Sequence, residues 1–151
     1  MVAPNREKCG VADYSRYLLE ELRALVDVVH VTDAGGFTPE MNQVDLIHIQ
    51  HQYFLFGGVA PWKNCFPKFA RKITAPAVMT VHEFVDPEGN VARKRAIELT
   101  NRRQFTNSRI RALVVHTGTD RDRMIAAGLP GSRIHVIAHG IPKPPTLPNR
   151  D

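Results

Sequence analysis

Cysteine is scarce in this chain of 151 residues, with Cys9 and Cys65 the only two. Two are too few for a disulfide scaffold and lack metal-ligand spacing, so both read as reduced thiols. No apolar stretch approaches the length of a membrane span, and no apolar h-region suggests secretion. The chain therefore reads as globular and cytoplasmic. Internal repeats and low-complexity segments are also missing, and what remains is an alternation of short apolar runs with amphipathic stretches.

Apolar residues make up 43% and charged residues 23% of a length that suits one compact domain with one buried core. The net charge of +5 and a pI near 9.6 favour anionic partners: phosphates, nucleotide sugars, nucleic acid or an acidic membrane face. Charge alone does not choose among them.

Four histidines fall just past the ends of apolar runs. His51 follows Leu46 to Ile49, His82 follows Val78 to Val81, His116 follows Leu113 to Val115, and His139 follows Ile134 to Ile137. Such runs, separated by helical stretches, are the pattern of an α/β protein with a mostly parallel sheet, whose ligand crevice lies outside the carboxyl ends of the strands. The four histidines are thus expected to line a site.

The first helix is expected from Asp13 to about Val26, its stripe of Tyr14, Leu18, Leu22 and Leu25 packing on the sheet. A strand at Val28 to Val31 follows. Trp62, Phe66 and Phe69 recur at roughly helical spacing and are expected in the core. Ala77 to Val81 reads as a strand and Val91 to Phe105 as a polar helix rich in arginine. A short helix after the Leu113 run has Thr119 as its expected N-cap, Asp122 completing a capping box and Gly128 as its stop. At the front, Met1-Val2-Ala3-Pro4 leads almost directly into the first helix, so the first strand of a βαβ unit reads as truncated. At the back, Pro142, Pro144, Pro145 and Pro148 rule out helix or central strand, giving a domain over 1–141 and a Pro-rich linker or tail over 142–151.

Five motifs in order carry a resemblance. They are Cys9-Gly10-Val11-Ala12-Asp13-Tyr14-Ser15, then Asp45 to Tyr53 with Phe56-Gly57-Gly58, then Thr80-Val81-His82-Glu83, then Val115-His116-Thr117 leading to Ala127-Gly128-Leu129-Pro130, and Ile137-Ala138-His139-Gly140-Ile141. Together they resemble the amino-terminal half of the group 1 retaining glycosyltransferases, family 4, of the GT-B fold. The resemblance implies a Rossmann-like three-layer sandwich that holds mainly the acceptor, facing a second domain that holds the nucleotide-sugar donor. A paired-glutamate motif marks that second domain in the family. Here no two glutamates stand eight positions apart, so the donor machinery is not expected in this sequence.

The resemblance makes His82 the catalytic candidate, the histidine of a Thr-x-His motif that contacts the transferred sugar. A neutral imidazole can donate or accept a hydrogen bond to a sugar hydroxyl, and retaining transfer needs positioning more than a strong base. The alternative is a histidine that merely ends a strand. Thr80 shares the motif. Glu83 either orients the imidazole or meets an acceptor hydroxyl, with a solvated loop carboxylate as the alternative. Gly10 suits a diphosphate approaching the amino end of the first helix, against a plain tight turn. His51 reads as lining the acceptor side, and His139 with Gly140 as marking the turn toward the second domain; a structural role is the alternative for each. His48 and His51 form an H-x-x-H pair, but spacing of three along a strand turns them to opposite faces, so no metal is expected. His30 and His135 read as satisfied polar residues within strands.

No cofactor is expected. The partners the resemblance implies are a sugar or lipid-linked acceptor and, through a missing domain, a nucleotide-sugar donor. The arginine-rich stretch from Arg93 to Arg111 either meets an anionic membrane, giving peripheral contact at the inner face, or is a solvated helix face; nucleic acid is not expected. A cleft wall without its partner also predicts a homo-oligomer. Two other functions stand against the transferase half: an autonomous binding module without catalysis, and a small metal hydrolase built on the histidines.

Overall fold

The computed structural model describes residues 1–5 and 9–140; the Pro-rich segment from Pro142 lies outside them. Strands β1 (Ile47–His51), β2 (Ala77–Val81), β3 (Ile110–Val115) and β4 (Ile134–Val136) pair in that order, every pair parallel. The ladder continues beyond β1 through single bridges. Val2 pairs with Ile49 on one side and Val31 on the other. Its N–H donates to the His48 carbonyl at 2.8 Å, and the Val31 N–H donates to the Met1 carbonyl at 2.8 Å. The short first strand is thus a bridged, buried residue between two neighbours, and the strand expected at Val28 to Val31 contracts to Val31 alone.

From Val2 the chain runs through α1 (Gly10–Leu22) to Val31, then returns on the other side of Val2 as β1. The strand order therefore reverses between Val2 and β1, the kind of point where α/β sheets open a crevice. The later crossovers, through α2 (Phe66–Lys72), α3 (Val91–Phe105) and α4 (Gly118–Ala126), all advance one way. Right-handed connection then puts α2, α3 and α4 on one face and α1 on the other. Side-chain contacts agree: His51 meets Phe105 of α3 with ring centroids 5.0 Å apart, whereas His82 meets Tyr14 of α1 at 4.9 Å. The result is an α/β, Rossmann-like arrangement of three layers.

The core lies between the sheet and α2 to α4. Ile47, Ile49, Met79, Val81, Leu113 and Val115 face Phe56, Phe66, Phe69, Phe105 and Met124, all buried. Each such side chain contributes on the order of 2 kcal/mol by leaving water. Trp62 departs from the expectation: it is 78% exposed in the turn before α2, while Phe66 and Phe69 are buried. Helical spacing was a poor guide there because Trp62 precedes the helix.

Helix α1 also corrects the expected stripe. It ends at Leu22, and the residues it buries are Ala12, Ser15 and Leu19. The Ser15 hydroxyl can face inward because it donates to the Val11 carbonyl at 2.6 Å. Leu25 lies past the helix end and is exposed. Helix α4 begins earlier than expected. Its N-cap is Thr117, whose oxygen accepts from the Asp120 N–H at 3.0 Å, and not Thr119. Gly128 does close it, at φ 86°, with its N–H donating to Ile125 and that of Leu129 to Met124, a Schellman pattern.

Helix α3 matches its expected bounds, but its inner face is largely polar: Thr100, Asn101 and Gln104 are buried beside Ile97 and Phe105. These side chains hold the loops at the carboxyl ends of β1 and β2. Thr100 donates to the Val59 carbonyl at 2.8 Å, and Asn101 donates to the Val85 carbonyl at 2.9 Å while accepting from the Tyr53 hydroxyl at 2.6 Å.

Candidate functional site

Three of the four strand-end histidines gather around one tyrosine. The Tyr14 ring centroid lies 4.9 Å from His82, 5.4 Å from His116 and 4.5 Å from His139. His116 lies 5.2 Å from His82 and 4.8 Å from His139. Alternation along the strands explains the grouping. Successive side chains point to opposite faces, so His82 and His116, each one residue beyond its strand, emerge on the face that α1 covers. His51 is the last residue of β1 and points the other way.

His51 therefore does not line this surface. It has no exposed area, packs against Tyr53, Phe56 and Phe105, and donates through Nε2 to Gln104 Oε1. Burial holds it down to about 4, so it is neutral in the fold. Its Nδ1 and the Gln104 Nε2 are buried with no hydrogen-bond partner among the described residues.

Thr80 is likewise beneath the site. It is buried, and its hydroxyl lies 2.8 Å from His48 Nε2. The same nitrogen stands 3.1 Å from Gln50 Nε2, and Gln50 Oε1 stands 2.7 Å from His82 Nε2. Thr80, His48, Gln50 and His82 thus form one polar chain under the α1 face. The amide oxygen of Gln50 can only accept, so Nε2 of His82 carries its proton and Nδ1 keeps its lone pair. Burial, reinforced by His116 and His139, pushes His82 down to about 3. It is a neutral imidazole near pH 7, suited to hydrogen bonding and charge positioning rather than to giving up a proton.

Gly10 opens α1, and Cys9 at the N-cap makes no side-chain bond to the first turn. A Cβ placed on Gly10 meets nothing within 4 Å, so the space beyond it is open. The Cys9 Sγ lies 3.8 Å from Gln52 Oε1, which ties the start of α1 to the carboxyl end of β1. Glu83, beside His82, and Gly140, beside His139, are exposed. His139 donates through Nδ1 to the Gly140 carbonyl at 2.9 Å.

His48 and His51 point to opposite faces and share no ligand, and among the described residues no group of three or more His, Cys, Asp or Glu has metal-binding geometry. No helix of the described residues is long and apolar enough to cross a membrane. Arg93, Lys94, Arg95, Arg102 and Arg103 of α3 are all exposed. His30 bonds to the Ala3 carbonyl at 3.2 Å, and His135 is exposed on β4.

A cleft of about 840 Å³ lies on the opposite face, between α3 and α4, lined among others by Asp86, Lys94, Glu98, Arg102 and Arg123. Its central cation is occupied: Arg123 binds Asp86 at 2.6 Å, Asp120 at 3.2 Å and the Phe84 carbonyl at 3.1 Å. These bonds brace the loop that follows His82.

The sequence reading missed Tyr14 and Gln50 as site residues. Tyr14 was concealed in an apolar helical stripe and Gln50 in a strand. His116 was visible as a strand-end histidine within the Val115-His116-Thr117 motif but was given no role of its own.

Searches of curated proteins and of solved structures found no match. A family model does match: Glycosyltransferase Family 4, over residues 11–143. That span covers most of the chain and includes Tyr14, Gln50, His82, His116 and His139, so the chain belongs to glycosyltransferase family 4.

Proposed function

We propose that this chain forms the acceptor-side wall of a glycosyltransferase that moves a sugar from a nucleotide-sugar donor to an acceptor with retention, the donor-side wall lying in a second domain. The observation that carries the reading is His82: a neutral imidazole at the carboxyl edge of the sheet, fixed by buried Gln50 and facing Tyr14 of α1. Transfer with retention requires that the sugar and leaving group be held in register, and a fixed neutral hydrogen-bonding group supplies this without adding charge.

In this reading the open space at Gly10 admits the donor diphosphate to the first-turn amides of α1. Glu83 and the His139-Gly140 turn border the acceptor, and the exposed arginines of α3 favour a lipid-linked acceptor at an anionic membrane face. His51 and Thr80 act from below, as supports.

The test is transfer of labelled sugar from nucleotide-sugar donors by the purified chain, alone and with a family 4 donor-side domain carrying the paired glutamates. The expected result is no transfer alone, and transfer in the pair that His82→Ala abolishes. Turnover by the chain alone that His82→Ala removes would mean both walls lie within it, against the reading. So would transfer by the pair that ignores His82→Ala.

A further inference from the structure

His116 presents a feature that the proposed function does not use. Its Nδ1 stands 2.9 Å from the Ile137 carbonyl oxygen. A carbonyl only accepts, so the proton of the neutral ring sits on Nδ1 and Nε2 holds a bare lone pair. That Nε2 is buried and has no hydrogen-bond partner among the described residues. Burying an acceptor without a donor is costly, and a bound water or ligand is one way in which native folds satisfy such a group.

The neighbouring rings have the same polarity. His139 spends its Nδ1 proton on the Gly140 carbonyl, and His82 spends its Nε2 proton on Gln50. Each ring therefore retains one lone pair, and the three rings gather around Tyr14. A carboxylate brings only lone pairs to such a place, and a phosphate near neutral pH brings at most one or two hydroxyl hydrogens along with negative charge. A hexose brings hydroxyl hydrogens, with an apolar ring face to set against an aromatic wall.

We propose that His116 Nε2 and His82 Nδ1 form a hydrogen-bond-accepting subsite that takes hydroxyl hydrogens of a bound hexose, and that this subsite prefers an uncharged polyol to a phosphate. The inference rests on the sugar-transfer reading and adds His116 as a binding residue. It also separates two regions of the crevice: phosphate belongs at the amino end of α1, and the sugar ring belongs over the imidazoles.

The test uses the whole chain with 15N-labelled histidine at neutral pH, titrated with the methyl glycosides of glucose, galactose, mannose and N-acetylglucosamine, and separately with inorganic phosphate. The expected result is an unprotonated His116 Nε2 that shifts together with His82 Nδ1 on adding at least one glycoside and stays still in phosphate. His116→Phe keeps the ring contacts and should weaken that glycoside by about tenfold, the effect of one lost hydrogen bond. His116→Gln, which restores an acceptor near the Nε2 position, should recover most of the loss. A glycoside that shifts His82 while His116 stays still, or that binds His116→Phe as tightly as the unaltered chain, overturns the inference and leaves the sugar reading standing. Glycosides that move neither histidine overturn both, and an equal response of His116 to phosphate overturns the preference.

Discussion

His82 Nε2 stands 2.7 Å from Oε1 of Gln50, a side chain with no exposed surface. The distance matters because Gln50 is neutral: it fixes the tautomer of the imidazole without adding charge, and burial then keeps His82 deprotonated, with its pKa pushed down to about 3. Gln50→Glu should reverse that balance. A carboxylate at hydrogen-bond distance favours the imidazolium and should raise the His82 titration midpoint by roughly 1–3 pH units. Titration of the His82 ring by NMR reads this directly, and a midpoint that stays near 3 in the variant would mean that the contact does not set the protonation state.

His51 and Gln104 are a second buried polar pair, with His51 Nδ1 and Gln104 Nε2 unpartnered among the described residues. His51→Leu alone strands the whole Gln104 amide in an apolar core, at a cost of roughly 1–3 kcal/mol. The double change His51→Leu with Gln104→Leu removes both polar groups and should recover most of that loss. Urea unfolding of the three proteins gives the answer. A double variant no more stable than the single one would show that the pair is held for packing shape and not for polar satisfaction.

Much of this fold was legible in the sequence, and the illegible parts share a cause. Ala77–Val81 and Val91–Phe105 lie where the apolar run and the polar helical stretch placed them. Strand-end histidines marked the correct edge of the sheet. Motif position did not give depth, however. His51 and His82 occupy similar places in the sequence, yet His51 pairs in register with Val81 and points into the core, whereas His82 lies one step further along and points toward α1. Thr80, named with His82, shares its face two residues earlier but is buried there against His48. The interior of α3 was invisible because Thr100, Asn101 and Gln104 hide there by hydrogen bonding, which leaves no apolar period to detect. Trp62 misled in the opposite direction, an apolar residue left in water by a turn.

The corrected start of α4 separates two threonines two positions apart. Thr117 accepts from the Asp120 N–H at 3.0 Å and its hydroxyl meets the Asp120 carboxylate at 2.7 Å, whereas Thr119 is an exposed residue of the first turn. Thr117→Ala should destabilise the fold by about 1 kcal/mol, the usual cost of a lost N-cap, and Thr119→Ala should be nearly neutral. At the other end, Gly128→Ala should cost about 1 kcal/mol, because φ 86° strains any residue with a Cβ. Equal thermal stability of the two threonine variants would put the cap elsewhere.

Acid should unfold this protein well above the range in which carboxylates protonate. Burial lowers His51 and His48 to about 4 and His82 to about 3, each from 6.5. The folded state therefore resists protons that the unfolded chain accepts freely, and stability rises with pH wherever the unfolded state binds more protons. The contribution is complete above pH 6.5 and declines as pH falls through the interval toward the folded values near 4 and 3. For fully buried His51 the loss reaches on the order of 3 kcal/mol, at about 1.4 kcal/mol for each tenfold loss of proton affinity. His48 and His82, partly open to water, add smaller amounts in the same direction. Against a total stability of about 5–15 kcal/mol, that sum brings the chain to the edge of unfolding. Urea midpoints measured from pH 7.5 down to 4.5 should be flat at first and then fall, and the fall should be shallower in the His51→Leu, Gln104→Leu double variant, which removes the most deeply buried of the three sites. A midpoint unchanged between neutral pH and pH 5 would show that these imidazoles open to water before they resist protonation.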